Sequence, residues 1–244
     1  MWTRNSNRDV VFSDKVTKEL EQKEVMRELL QANYAGRPFT FPSGYLFAPQ
    51  LMGAAMDGVS INDVKMPSAD LRFCSMTRAH LKRVDLSSAR AQEIGWSGSI
   101  LEEVSLYRGL FSHAVARETR FLRCRLERSF FDSVAGENSH WEGCTGDKIV
   151  FDNSHLRGAV FQEWKTSKTS FMESDLRDVL FVNCHFQDAD FSLSCLNGAC
   201  FKDCLIENCS FSGCVGVGLS FQESEVRETY LSPNLLATCR KTPG

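Results

Sequence analysis

An apolar residue returns at every fifth position of this chain for almost its whole length, and no helix or flat strand has that period. From Phe151 the centres read Leu156, Phe161, Thr166, Phe171, Leu176, Phe181, Phe186, Phe191, Leu196, Phe201, Ile206, Phe211, Gly216 and Phe221. A helix needs apolar spacings of three and four, and a half-buried strand needs two. A strict five therefore demands a repeating architecture. Counted from Phe41 to Leu236 the register has 40 positions, and 34 are apolar beyond alanine; the exceptions are Ala91, Ala116, Gly136, Gly146, Thr166 and Gly216. No insertion shifts the frame. Two residues before each centre lies a second slot, filled mostly by small residues such as Ala69, Cys74, Ala79, Ala89, Cys184, Ser194, Cys204, Cys209 and Cys214.

The units ADLRF at 69 to 73, VDLSS at 84 to 88, SDLRD at 174 to 178 and ADFSL at 189 to 193 resemble those of the pentapeptide-repeat proteins, whose unit is A-(D/N)-L-x-x. The resemblance covers about four fifths of the chain and implies an all-β solenoid: a right-handed quadrilateral β-helix, with one unit per side and about twenty residues per coil. Positions twenty apart should then stack. One side reads Phe111, Phe131, Phe151, Phe171, Phe191, Phe211, Leu231 and the opposite side Leu101, Phe121, Trp141, Phe161, Phe181, Phe201, Phe221, with mostly aliphatic columns between them. This sorting by twenty is not contained in a period of five, so it supports the coil size independently. About ten coils are expected.

An unbroken register argues for one elongated unit over residues 41–231. Residues 1–40 are expected to form an arm and a capping helix between Asp14 and Asn33, with Val25, Met26, Leu29 and Leu30 on its apolar face. Residues 232–244 should form a short closing helix and tail, with Ser232 as N-cap and Pro233 in the first turn. No apolar run is long enough to span a membrane, and the first residues lack the apolar core of a signal peptide, so a cytoplasmic location is expected. Of the ten cysteines, eight fall in the small inward slot, where the thiol acts as a compact hydrophobe. Reduced thiols follow from that reading.

No constellation of catalytic residues emerges: His80, His113, His140, His155 and His185 are dispersed, and no phosphate loop or nucleophile elbow is present. The chain is read as a non-enzyme with no cofactor and no metal. Its surface remains. Leu110, Phe130 and Val150 each precede a core Phe in an outward slot and should stack into an exposed apolar patch, with Asp132 and Asp152 beside it and a smaller patch at Val160 and Leu180. A basic stripe runs through Arg108, Arg125, Arg128, Lys148, Lys165 and Lys168. The family resemblance implies a protein-binding scaffold: an immunity-type protein that binds and neutralises a bacterial toxin, a nuclease for example, or alternatively a DNA-mimicking protector of a bacterial type II topoisomerase (DNA gyrase) or a general interaction scaffold. A net charge of −3 and the basic stripe favour the first. A protein partner is expected, with no nucleic acid and no membrane, for a monomer or homodimer.

Overall fold

The computed structural model describes residues 23–25, 27–29, 31, 41, 44–46 and 48–238. Along the coils, exposure repeats with the unit: the centre is buried, the next residue half-buried, the next exposed, the next buried and the last half-buried. The exposed residue carries the turn. From Ala48 to Glu228 every fifth residue has a positive φ without a gap. L-residues other than glycine, Asn and Asp seldom adopt that conformation, yet here Phe73 (φ 60°) and Leu193 (φ 63°) do so as well. The repeat therefore imposes the bend on whatever side chain stands there.

Four such units close one coil, since each residue pairs in parallel with the residue twenty further on, as in Leu180 with Cys200 and Phe181 with Phe201. The expected solenoid appears as a parallel sheet of nine strands running from Ser60–Asn62 to Ser220–Gln222. A four-stranded sheet, Lys165–Ser167 to Glu225–Arg227, forms the next side. The other two sides are columns of parallel bridges. Backbone groups are satisfied between coils: Leu71 N donates to Arg90 O (2.7 Å) while Asp70 N donates to Pro49 O (2.9 Å).

Two aromatic ladders face each other inside. On one, Phe151, Phe171 and Phe191 stack with ring centroids 5.1 and 5.2 Å apart and planes within 5° of parallel. On the other, Phe161, Phe181 and Phe201 repeat at 5.1 and 4.6 Å. Between ladders the rings meet edge to face, as Phe161 and Phe171 do at 85°. Aromatic quadrupoles favour both geometries.

The breaks in the five-residue register are compensated in space. Gly146 and Thr166 leave the side between the ladders hollow, and Trp164 fills it from the normally small slot, its ring 4.9 Å from Phe161 and 6.1 Å from Phe151. A Cβ on Gly146 would lie 2.6 Å from the Glu127 backbone nitrogen, so only glycine fits there. Trp96, one coil below Ala116, spreads between Phe111 (5.2 Å) and Phe121 (5.9 Å). At Gly216 a Cβ would come within 2.6 Å of Leu235, because the closing helix puts a leucine where the coil has none.

The small slot does more than pack. Ser174 Oγ donates to Phe151 O (2.8 Å) and accepts from Ser154 N (3.1 Å), and Ser154 repeats the pattern on Phe131 O (3.0 Å) and Val134 N (3.1 Å). The thiols of Cys124, Cys144, Cys184 and Cys204 donate to carbonyls in the same relation, 23 residues back. Treating cysteine there as a hydrophobe alone misses this bond. The nine described cysteines are free.

At the N-terminal end, the described residues of the expected capping helix are helical, and Val25 and Leu29 are buried in the same core as Phe41 and Leu46. Met26, Leu30 and the arm before the helix lie outside the described residues. At the other end a helix spans Pro233–Thr238. Ser232 caps it, its Oγ accepting from Leu235 N (3.2 Å), and Leu235 is buried against the last coil.

Candidate functional site

The slot just before each centre points outward, and on the side centred on Phe111, Phe131 and Phe151 it forms one bridged column: Asp70, Arg90, Leu110, Phe130, Val150, Ser170, Asp190, Ser210, Tyr230. Leu110, Phe130 and Val150 thus stack directly, as the spacing predicts. Phe130 is 43% exposed, while Leu110 and Val150 are half-buried. Polar rungs close both ends of the patch. Below it, Asp70 receives Arg72 (2.7 Å) and Arg90 (2.7 Å); the hydrogen bonds from Arg72 hold its carboxyl below the usual carboxylate range, against the desolvation of a side chain only 3% exposed. Above it, Ser170 Oγ donates to Asp152.

Asp132 and Asp152 flank the patch on one edge, but they are engaged with the rod. Asp132 accepts from Ser112 Oγ (2.6 Å), and Asp152 accepts from the Met172 backbone N–H (3.0 Å). Their carboxylates join adjacent coils through neutral donors, so each keeps its charge while its position is fixed.

The basic stripe resolves into two columns. Arg108, Arg128, Lys148 and Lys168 occupy successive rungs of one corner, all exposed and all at positive φ. That corner lies two residues from the Leu110, Phe130 and Val150 column and borders its other edge. Arg125 and Lys165 stand apart, on the neighbouring side, with Thr145 between them. Arg125 is tied to Glu127 (2.8 Å) and lies over the Tyr107 ring (5.0 Å). Among the described residues, none of the four corner cations makes an ion pair; the Arg108 guanidinium lies 5.7 Å from the centroid of the Tyr107 ring. Elsewhere many arginines are matched, Arg83 with Asp63, Arg117 with Glu137, Arg123 with Glu102, Arg177 with Asp175 and Arg227 with Glu207, and the other described cations without an ion pair, such as Arg78, Arg120 and Lys202, do not stack on one another. An uncompensated ladder of like charge is confined to this corner.

Val160 and Leu180 pair on the opposite side and are half-buried. The same outward slot also holds Val215 and Tyr230, which the sequence reading passed over; they are 56% and 70% exposed, with Val217 (63%) and Leu193 (57%) close by in the last coils. Burial pushes the thiols of Cys74, Cys209 and Cys214 up to about 11, so these sulfurs are poor nucleophiles. Among the described residues no group of three or more His, Cys, Asp or Glu side chains could hold a metal, and no helix is long and apolar enough to cross a membrane.

Residues 169–208 match the family model of pentapeptide repeats, in 8 copies. That stretch carries pentapeptide repeats. No curated protein matches it in sequence. Solved structures similar to this chain include HetL, a pentapeptide repeat protein involved in heterocyst differentiation regulation in the cyanobacterium Nostoc sp. strain PCC 7120, at 16% identity over 79% of this chain and 94% of HetL, with a TM-score of 0.37. QnrB1, a plasmid-mediated fluoroquinolone resistance protein, is 12% identical over 80% of this chain and 96% of its own, with a TM-score of 0.36. Rfr23, from the cyanobacterium Cyanothece 51142, is 16% identical over 57% of this chain and 97% of its own, with a TM-score of 0.42.

Proposed function

We propose that this pentapeptide-repeat scaffold is a non-enzymatic protein-binding rod whose contact surface is the side bearing Leu110, Phe130 and Val150. The observation that carries the reading is Phe130: a large aromatic ring, 43% exposed, standing on a rigid column between two aliphatic neighbours. A contiguous apolar surface rimmed by polar groups is the usual mark of a contact site, and aromatic anchors supply much of the energy of such contacts. An immunity-type role, with a bacterial toxin as the bound protein, suits this surface better than DNA mimicry. A DNA mimic needs ranks of free carboxylates, whereas here Asp63, Asp70, Glu102, Asp175 and Glu207 are paired with arginines and a basic corner interrupts the rod.

The test places a photo-crosslinking residue at position 130 and, as control, at position 120, which occupies the equivalent outward slot on the opposite side. Crosslinking in cells of the source organism should yield a discrete protein adduct from position 130 and none from position 120. Equal or absent adducts at both would reject the assignment of the face. Mass spectrometry of the adduct then decides between a toxin and a topoisomerase.

A further inference from the structure

Arg108, Arg128, Lys148 and Lys168 form a cationic ladder along one corner, parallel to and bordering the apolar column of Leu110, Phe130 and Val150. We propose that these two columns together receive an acidic amphipathic α-helix of the partner protein, laid along the rod axis, with a carboxylate stripe on the corner and an apolar stripe on the Phe130 column. The inference rests on the reading of this side as the protein-binding face and adds the secondary structure and charge of what binds.

Charge comes first. Each of the four corner cations is exposed, and none is paired within the described residues, whereas many arginines of the other columns are paired with carboxylates. The acids next to Arg128 and Lys148 in sequence are directed to other groups: Glu127 holds Arg125 (2.8 Å) and Asp147 accepts the Ser167 N–H (2.9 Å). The ladder ends at Asp188, the next rung above Lys168, which accepts from Asn208 (2.5 Å). Four like charges stacked at strand spacing repel one another, and a partner bearing negative charge relieves that repulsion.

Spacing then selects the form of the partner. Neighbouring coils repeat at about 4.8 Å, so four rungs span about 14 Å. Carboxylates at i, i+3, i+7 and i+10 of a helix rise 1.5 Å per residue and span about 15 Å, staying within about 1 Å of every rung. Residues on one face of an extended strand step about 6.7 Å, and over the same four rungs they drift by nearly 6 Å. The residues that follow each carboxylate form the adjoining stripe of the helix, and they would lie over Leu110, Phe130 and Val150. A nucleic acid would satisfy the cations but leave that apolar column uncovered and bring phosphates beside Asp132 and Asp152 on its far edge.

The probe is a fluorescein-labelled, alanine-based peptide of about 20 residues, long enough to be helical alone, with Glu at i, i+3, i+7 and i+10 and Leu after each Glu. Two comparison ligands are a peptide of identical composition with Glu on alternate residues and a 15-nucleotide single-stranded DNA. Anisotropy titrations at low and high salt should show the helical peptide binding at least tenfold tighter than either. Its affinity should fall at least tenfold in Lys148→Glu/Lys168→Glu and in Phe130→Ser, and the salt dependence should shrink in the charge-reversal variant alone. Glu228 already occupies this corner column at positive φ, so the reversal suits the backbone; thermal melts of both variants verify folding. Equal or tighter binding of the permuted peptide or the DNA, unchanged affinity after charge reversal, or no binding of the helical peptide would each overturn the proposal. If position 130 still crosslinks a protein in those cases, the binding face stands and only the helix is rejected; if it does not, both fall.

Discussion

Phe171 lies between Phe151 and Phe191 with parallel rings on both faces and no exposed surface, whereas Phe130, one column outward, has its ring in water. Replacing Phe171 with alanine removes a ring from a close-packed interior, and the cost should be about 3–5 kcal/mol. Phe130→Ala should cost less than about 1 kcal/mol, as expected of a surface change. Urea unfolding of the two variants checks this; equal losses would contradict the inward and outward assignment. Asp70 makes a separate prediction at this scale. Its folded pKa is depressed, chiefly by hydrogen bonds from Arg72, so its contribution is complete above the ordinary carboxylate range and is lost as pH falls through the depressed folded value. Asp70→Asn should therefore cost about 1–2 kcal/mol at pH 7, an amount limited by the exposure of the two arginines. The gap between variant and parent should begin to close below pH 3.8. Unfolding curves from pH 7 downward measure it, and a gap independent of pH would show that the carboxylate charge plays no part.

The five-residue unit is the element of this fold, and it was readable because its burial pattern never slips. The columns were readable too, since adding twenty to Phe111 or Leu110 names the neighbour above. What could not be read was how one side compensates another. Gly146 and Thr166 stand out as vacancies in the run of centres, but only the folded coil shows Trp164 reaching into them from a slot that in the other regular coils holds nothing larger than Ile or Leu. The charge state of the candidate surface was hidden for a similar reason: whether an arginine is paired depends on carboxylates two or twenty residues away, and Arg90 and Arg128 look alike until Asp70 is placed. Val215 and Tyr230 occupy the same outward slot as Phe130, but they precede Gly216 and Leu231, so the pattern of an apolar residue ahead of a core Phe does not mark them. The hydrogen bonds of the small slot were also invisible in the sequence, and they make a prediction for the unit. Ser174→Ala removes the hydroxyl that links Phe151 O to Ser154 N and should cost about 1 kcal/mol. Ser174→Cys should restore most of it, since cysteine makes the same carbonyl bond from Cys124 and Cys184. If alanine and cysteine variants melted together, the slot would be one of packing alone.

For the molecule as a whole, stability propagates along one dimension, because each coil contacts only its neighbours and a coil at an end has one of them. The last coil shows the consequence: Phe221, Val226 and Leu231 are only partly buried, in contrast to the sealed rings at Phe161 and Phe181. What covers that end is the helix Pro233–Thr238, through Leu235 over Gly216 and through Gly218 N donating to Thr238 O (3.0 Å) and Thr238 Oγ donating to Gly216 O (3.1 Å). Removing the cover should loosen the rod from that end inward and leave the middle untouched. Leu235→Asp, which sets a charge on the core, should thus raise amide exchange across 205–231 by at least tenfold while peptides from 101–161 keep the rates of the parent. Hydrogen exchange read by mass spectrometry distinguishes the two regions directly. Faster exchange by the same factor in both would mean that the coils unfold as a single cooperative block, and that the closing helix stabilises the entire rod rather than its last turn.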